Sequence, residues 1–492
     1  MLTARRPPSI SHDDPLSIIM RPPDTETESE RRSRLLREAE AKRVSEAIDE
    51  ELRADRKMWE KQKRDIRLLL LGQAESGKST LQKQFQLIHN PESLEDERAS
   101  WRMVVYYNIT RSVKHILEVL EAYGDSPDGE TPEGSSDGSS YGHGIGSRSR
   151  GRSPSVGASA ASSRSNLENQ RVIASLRLKL SPLVVAEASL ADRLSGGYRN
   201  PGKSKVFVRR GWQSRTVQRR GTRSLGGSPE GWDDYNQVDT DEMVEEVARI
   251  LDICQGEVRQ LWENEVVRKL IKRRRLRLEE SAEYFMRDVS RVAARGYIPE
   301  VDDILHARIQ TMGVAEHTFD VPLHGKPVTW HLYDVGGARG QRHSWVPYFD
   351  NANAIIFVAP ISAFDQYLEE DPRTNRIDDS LQLFTSICSN PLLKNVHLVL
   401  FLNKCDVLQA KLAAGVRVNK YITSFGERPN DYDTIVSYFR AHFNQVHRKT
   451  NDKKRVLYSH LTSVVDTKTT RSIIANVRDS IFRDYLKSAA LV

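Results

Sequence analysis

The sequence predicts an α/β fold, a mostly parallel sheet with helices on both faces, interrupted by an inserted all-α domain. Three observations predict it. The apolar run Leu68–Leu71 meets Gly72-Gln73-Ala74-Glu75-Ser76-Gly77-Lys78-Ser79, of the form G-x-x-x-x-G-K-S, which after Thr80 runs into a helix start at Leu81–Phe85. Further on, short apolar runs at Val328–Tyr333, Ala354–Val358 and Val396–Leu402 alternate with helical segments. Between these regions, residues 92 to about 298 carry helical rather than strand periodicity.

Taken in order, residues 1–26 are rich in Pro, Ser and Asp and are expected to be disordered. Residues 27–64 hold Glu, Arg, Lys and Ala without Gly or Pro, which favours a helix. Val44, Ile48, Leu52 and Trp59 fall on one thin face of it, a pattern suited to packing on a partner. A solvated single helix is the plainer alternative. Residues 65–91 and 299–492 form the predicted nucleotide domain, and 92–298 the helical domain. Within the latter, Val104, Val105, Ile109, Val113, Ile116, Leu117 and Leu120 give helical spacing over 92–123. Residues 124–165 are dominated by Gly, Ser and Pro and predict a flexible low-complexity segment. A helix is expected from Leu167 to Leu194, then a basic loop to Trp232, and several helices from Asp239 to Arg295. The whole stretch from about 124 to 235 reads as a disordered or basic insertion.

Bulk properties exclude several classes. The net charge of +7 is unevenly placed, and Lys203, Lys205, Arg209, Arg210, Arg215, Arg219, Arg220 and Arg223 follow one another without an acid. No RNA-binding aromatic pattern accompanies them, so no specific nucleic-acid partner is expected. The three cysteines, Cys254, Cys388 and Cys405, have no ligand-like spacing, which fits a reducing compartment. No apolar run reaches membrane-spanning length. Leu2 excludes N-myristoylation at that position, and no nearby cysteine offers a palmitoylation site.

Three motifs carry chemistry. A strand–loop–helix around G-x-x-x-x-G-K-S binds phosphates through backbone N–H groups and the helix N-terminus. Gly72, Glu75, Ser76, Gly77, Lys78, Ser79 and Thr80 form this cradle, with Lys78 on the terminal phosphates and the Ser79 hydroxyl on Mg²⁺. A chance Gly-Lys-Ser in a turn is the alternative, and the flanking strand and helix weigh against it. Asn403-Lys404-Cys405-Asp406 follows an apolar strand, where a carboxylate accepts guanine N1–H and the 2-amino group, a pairing adenine does not offer. Asp334-Val335-Gly336-Gly337 also ends a strand, with Asp334 placed to hold Mg²⁺ through water and the Gly337 N–H free to sense the terminal phosphate.

With these motifs in this order, the chain resembles the alpha subunits of heterotrimeric G proteins. Asp303–Val314 resembles the family's first switch, Asp334–Trp345 its second, and Thr462–Thr467 its guanine-contacting loop. Residues 166–235 resemble the extended helical domain of some fungal members. The resemblance implies a P-loop GTPase domain clamping GTP or GDP with Mg²⁺ against the helical domain. It makes Arg308 the arginine that stabilises transition-state charge in cis, and Ser79 and Thr311 the Mg²⁺ ligands. It sets Leu305 and His306 by the ribose, Glu280 and Ser281 against the nucleotide, and the Val464 N–H on the guanine oxygen. The implied partners are a beta-gamma dimer, a G-protein-coupled receptor and a downstream effector. The implied place is the cytoplasmic face of the plasma membrane, peripherally, or the cytoplasm.

Two departures concern the chemistry. Ala338 stands where the family carries the glutamine that orients the attacking water, and Gln341, three positions on, replaces a glutamate and is not an obvious substitute. Ala74 replaces the second glycine of the family's G-A-G-E-S-G-K-S. Alanine cannot orient water by hydrogen bonding. The expectation is therefore a switch with slow GTP hydrolysis. The alternative is a GTP-bound scaffold or binding module with negligible turnover. An ATP-dependent kinase or transport ATPase conflicts with Asn403, Lys404 and Asp406.

Overall fold

The computed structural model of the protein describes residues 26–62, 65–124, 156–196, 206–208, 212–213, 234–323, 326–450 and 455–488. The chain divides into two compact units, Met1–Asp65 and Ile66–Val492. The first holds helix α1 (Glu28–Gln62). Thr27 caps it: its hydroxyl donates to Glu30 at 2.8 Å, and its backbone N–H donates to the same carboxylate at 2.9 Å. Val44, Ile48 and Leu52 are exposed along it, as a thin apolar stripe on a charged helix should be. The Trp59 side chain and residues 1–25 lie outside the described residues.

In the second unit a six-stranded sheet runs in the order β4-β5-β1-β6-β7-β8. The strands are β1 (Ile66–Leu71), β4 (Val314–Leu323), β5 (Lys326–Val335), β6 (Ala354–Pro360), β7 (His397–Asn403) and β8 (Leu457–Thr462). Only β4 is antiparallel to its neighbour. Strand β1 is apolar apart from Arg67 because both its faces are covered. Leu68 and Leu70 pack towards Leu81 and Phe85 of α2 (Lys78–His89) and Ile474 of the last helix. Leu69 and Leu71 face Phe384, Phe439 and Phe443 on the opposite side. This register brings the ends of β1, β5, β7 and β8 to one edge of the sheet, where ligands of such folds bind.

The helical block comprises α3 (Pro91–Gly124), α4 (Val156–Ser195), α5 (Asp234–Glu263), α6 (Glu265–Lys272), α7 (Glu280–Arg287), α8 (Val289–Val292) and α9 (Val301–His306). It has its own apolar core, in which Val113 and Ile116 meet Leu180, Leu190, Leu251 and Val258. Helix α4 begins at Val156, well before Leu167, because the Ala/Ser-rich stretch ahead of it tolerates helix as readily as loop. The basic stretch expected as loop contains a short strand, β2 (Phe207–Val208), paired in parallel with β3 (Gln310–Thr311). Its basic side chains from Lys203 to Arg223 lie outside the described residues, as does the Gly/Ser-rich segment 125–155.

Candidate functional site

The phosphate loop closes on itself and on its neighbours through tight backbone contacts. Gly77 has φ +105°, and a Cβ there would sit 2.3 Å from Asn403 Nδ2, so only glycine fits. Gly337 approaches just as closely: a Cβ would lie 2.3 Å from the Ala74 nitrogen. Glu75 and Lys404, both in the site, are non-glycine residues with positive φ, a conformation that costs about 1–2 kcal/mol and is retained where surrounding structure enforces it.

Lys78 is buried and donates to the carbonyls of Gly72 at 3.0 Å and Gln73 at 2.6 Å. Burial pushes its ammonium down to about 8, against the pull of Asp334. Beyond it, three oxygens converge. Ser79 Oγ donates to Asp334 Oδ2 at 2.6 Å, Thr311 Oγ1 donates to the same oxygen at 3.1 Å, and the two hydroxyls are 3.0 Å apart. Asp334 Oδ1 is buried and lacks a protein partner. A carboxylate and two hydroxyls, all hard oxygens, suit Mg²⁺. Among the described residues no group of three His, Cys, Asp or Glu is placed to hold a metal.

Glu280 of α7 joins the two lobes. It accepts from Lys404 Nζ at 2.6 Å and pairs with the Arg308 guanidinium. Burial pushes its carboxyl up, but Lys404 and Arg308 outweigh that and hold it down at about 2. Lys404 in turn is lowered to about 8 by burial and by Arg308. Arg308 is also 3.9 Å from Glu75, which Arg376 approaches at 3.3 Å. Its backbone is braced by Asn108, which accepts from the Arg308 N–H at 2.7 Å and donates to the Arg308 carbonyl at 2.8 Å.

At the other end, Asn403 spends its whole amide on neighbouring loops. Nδ2 donates to Ser76 O at 2.8 Å, while Oδ1 accepts from Thr462 Oγ1 at 3.0 Å and the Val464 N–H at 3.2 Å. Asp406 is exposed in the first turn of α11 (Cys405–Ala413), after α10 (Arg376–Ser389). The cavity holding Lys78, Ser79, Arg308, Thr311, Asp334, Gly336 and Gly337 also contains Ala74, Glu75 and Ala338. Leu305 and His306 do not line it; Leu305 is buried, and the His306 ring stacks on Tyr284 with centroids 3.9 Å apart. Ser281 is buried in the first turn of α7.

Sequence reasoning missed several residues of this site. Gln73 Nε2 donates to Arg376 O at 2.8 Å and to Asp379, and Asp379 also holds Arg339 at 3.0 Å and Arg342 at 2.6 Å. Lys83 is buried, donates to the Ile304 carbonyl at 2.6 Å, and is lowered to about 7 by burial. Gln341, named from the sequence but set aside there as no obvious substitute for the glutamine, lines the same cavity, its Oε1 buried without a partner against Gly336. No local pattern marks Gln73 or Lys83. For Gln73 the only signal was the family's alanine at that position of the loop.

The chain matches the family described as G-protein alpha subunit over residues 42–481. It is similar to the guanine nucleotide-binding protein alpha-4 subunit of Mycosarcoma maydis, at 31% identity over 98% of this chain and 96% of that protein. It is also similar to the G(o) subunit alpha of Geodia cydonium, at 27% identity over 92% of this chain and 97% of that protein. A motif set that assembles at one sheet edge, a helical insertion facing it, and a family match over most of the chain agree, and the chain belongs to the G-protein alpha subunits of heterotrimeric G proteins.

Proposed function

We propose that this alpha subunit is a GTP/GDP switch whose hydrolysis step is slowed by Ala338 and Ala74. The phosphates would lie on the loop from Gly72 to Thr80 and the base against Asp406, and the Val464 N–H, which donates to Asn403 at 3.2 Å, would have to turn to the guanine oxygen. Ser79 and Thr311 would hold Mg²⁺, with Asp334 reaching it through water, and the ion would neutralise charge on the transferred phosphoryl group. Hydrolysis forms a bond from water oxygen to the γ-phosphorus and breaks the bond to the β–γ bridging oxygen, which leaves with GDP, while the proton lost by the water passes to the released phosphate. Arg308 would leave Glu280 to meet the charge that develops on the phosphate oxygens. The observation that carries the slow step is Ala338 lining the cavity with a methyl group that can neither donate nor accept. A beta-gamma dimer, a receptor and an effector are the partners that family membership supports. No helix among the described residues is long and apolar enough to cross a membrane, which is compatible with peripheral attachment through partners or basic segments.

Single-turnover GTP hydrolysis tests the proposal. Ala338→Gln should raise the rate by on the order of 10²-fold, the worth of one well-placed polar group at a transition state. Equal rates would remove the idea. Gln341 favours a second reading, in which its buried, unpartnered amide oxygen holds the attacking water. In that case Gln341→Ala lowers the native rate and Ala338→Gln adds little.

A further inference from the structure

Strand β2 comes from the insertion and lies on the segment that carries Thr311. Phe207 pairs with Gln310 and Val208 with Thr311, and the Met312 N–H donates to the Val208 carbonyl at 2.9 Å. Four residues after Val208 the same insertion is anchored on α3 of the helical lobe. Trp212 is buried with its ring edge-on to Trp101, centroids 5.1 Å apart at 88°. Ser100 Oγ donates to the Gln213 carbonyl at 3.1 Å. From the sheet side, Lys83 Nζ lies 3.9 Å above the Trp101 ring and donates to the carbonyls of Ile304 and Ala307. Val206, Phe207, Val208 and Trp212 line the same cavity as Ser79 and Thr311.

We infer that residues 206–208 and 212–213 form an intramolecular strap that holds Thr311 in its metal-facing register and ties the two lobes over the cavity. Apart from the Thr311 hydroxyl's contacts with Ser79 and Asp334, the backbone of a short segment such as Gln310–Thr311 has little to fix it, because two residues make too few contacts to offset their ordering. Here its partner strand is supplied by the chain itself, so the register of Thr311 does not wait for a terminal phosphate. The strap is anchored on the Thr311 segment at one end and on α3 at the other, so opening of the lobes would load the β2–β3 ladder and the Trp101–Trp212 contact. Val208 and Trp212 are thus positioning residues, acting through Thr311 and through the separation of the lobes. This inference rests on the reading of the cavity as a guanine-nucleotide site.

Three measurements on the full chain test it. Hydrogen exchange at the Met312 amide, without nucleotide, should be protected in the native chain and open in V206G/F207S/V208G; this arm stands even if the nucleotide reading fails. Release of a fluorescent GDP should quicken at least about tenfold in that variant, and by a smaller factor in Trp212→Ala. In the pair Phe207→Cys with Gln310→Cys, whose positions are strand neighbours within disulfide reach, oxidation should slow GDP release below the native rate and reduction should restore it. Unchanged Met312 exchange in the triple variant overturns the strap. So does an oxidised pair that releases GDP at the reduced rate, an arm that needs no destabilised variant.

Discussion

Asn403→Ala separates a structural staple from a base contact. The native side chain is fully buried and satisfies three groups that are themselves buried: the Ser76 carbonyl, the Thr462 hydroxyl and the Val464 N–H. Each such group left without a partner costs roughly 1–3 kcal/mol. The three share one site, so their losses do not simply add, and about 3–4 kcal/mol is a fair total. These bonds tie the Gly72–Thr80 loop to the Thr462–Thr467 loop in the protein itself, so the loss falls on stability and, on the proposed reading, on binding. Around 3 kcal/mol in affinity corresponds to a Kd for GDP weakened on the order of 10²-fold. Asn403→Asp should not rescue the Ser76 side, because it opposes two acceptors. Thermal unfolding at saturating GDP and a fluorescence titration of GDP check both effects. An alanine variant that keeps its melting temperature and binds GDP within about threefold of native would refute the reasoning.

Gly77→Ala should impair the same staple from the other side, since its methyl would take the place of Asn403 Nδ2 at a φ of +105°. The double variant with Asn403→Ala should then lose less GDP affinity than the sum of the single losses, as a double-mutant cycle would record. Asp303 concerns acid stability. Burial raises its carboxyl, yet two Arg291 bonds at 2.7 and 2.8 Å, the Glu300 N–H and the Tyr297 hydroxyl bring it down to about 2. A depressed folded value means that its stabilisation is complete above the unfolded value of 3.8 and is lost as pH falls towards about 2. Asp303→Asn should therefore be less stable near neutrality by roughly 3 kcal/mol and lose less than the native chain between about pH 4 and pH 2. Denaturant midpoints across that window give the answer.

The parts of the molecule legible in the sequence are those fixed locally. Leu68–Leu71 reads as a buried strand because both faces are apolar, and Gly72 to Ser79, Asp334 to Gly337 and Asn403 to Asp406 each owe their form to a strand end. Strand β4 escaped because it is an edge strand: His317 and Asp320 interrupt Phe319 and Val321, and Pro322 sits near its end. Strand β2 escaped because three apolar residues, Val206 to Val208, stand among arginines and lysines and gain strand form only from Gln310–Thr311. The supporting amides are invisible for a related reason. Asn108 meets Arg308 across 200 positions and Gln73 meets Asp379 across 306, and nothing near either glutamine or asparagine announces the partner. Ala338 is the reverse case, obvious against a family pattern and mute as a side chain.

The order in which the sheet is assembled has a consequence for synthesis. Strand β1, with four leucines in a row, is made early, yet the Arg67 N–H at its start bonds Asn353, 286 residues later, and Ser79 just beyond it waits 255 residues for Asp334. The helical block between them has a core of its own built largely from neighbouring helices. On the ribosome that block can close first, while the leucines of β1 stay uncovered until β5 and β6 emerge. Nascent chains halted before Asn353 should thus be the ones most in need of a chaperone, because an unpaired strand with two greasy faces is then the stickiest surface the polypeptide presents.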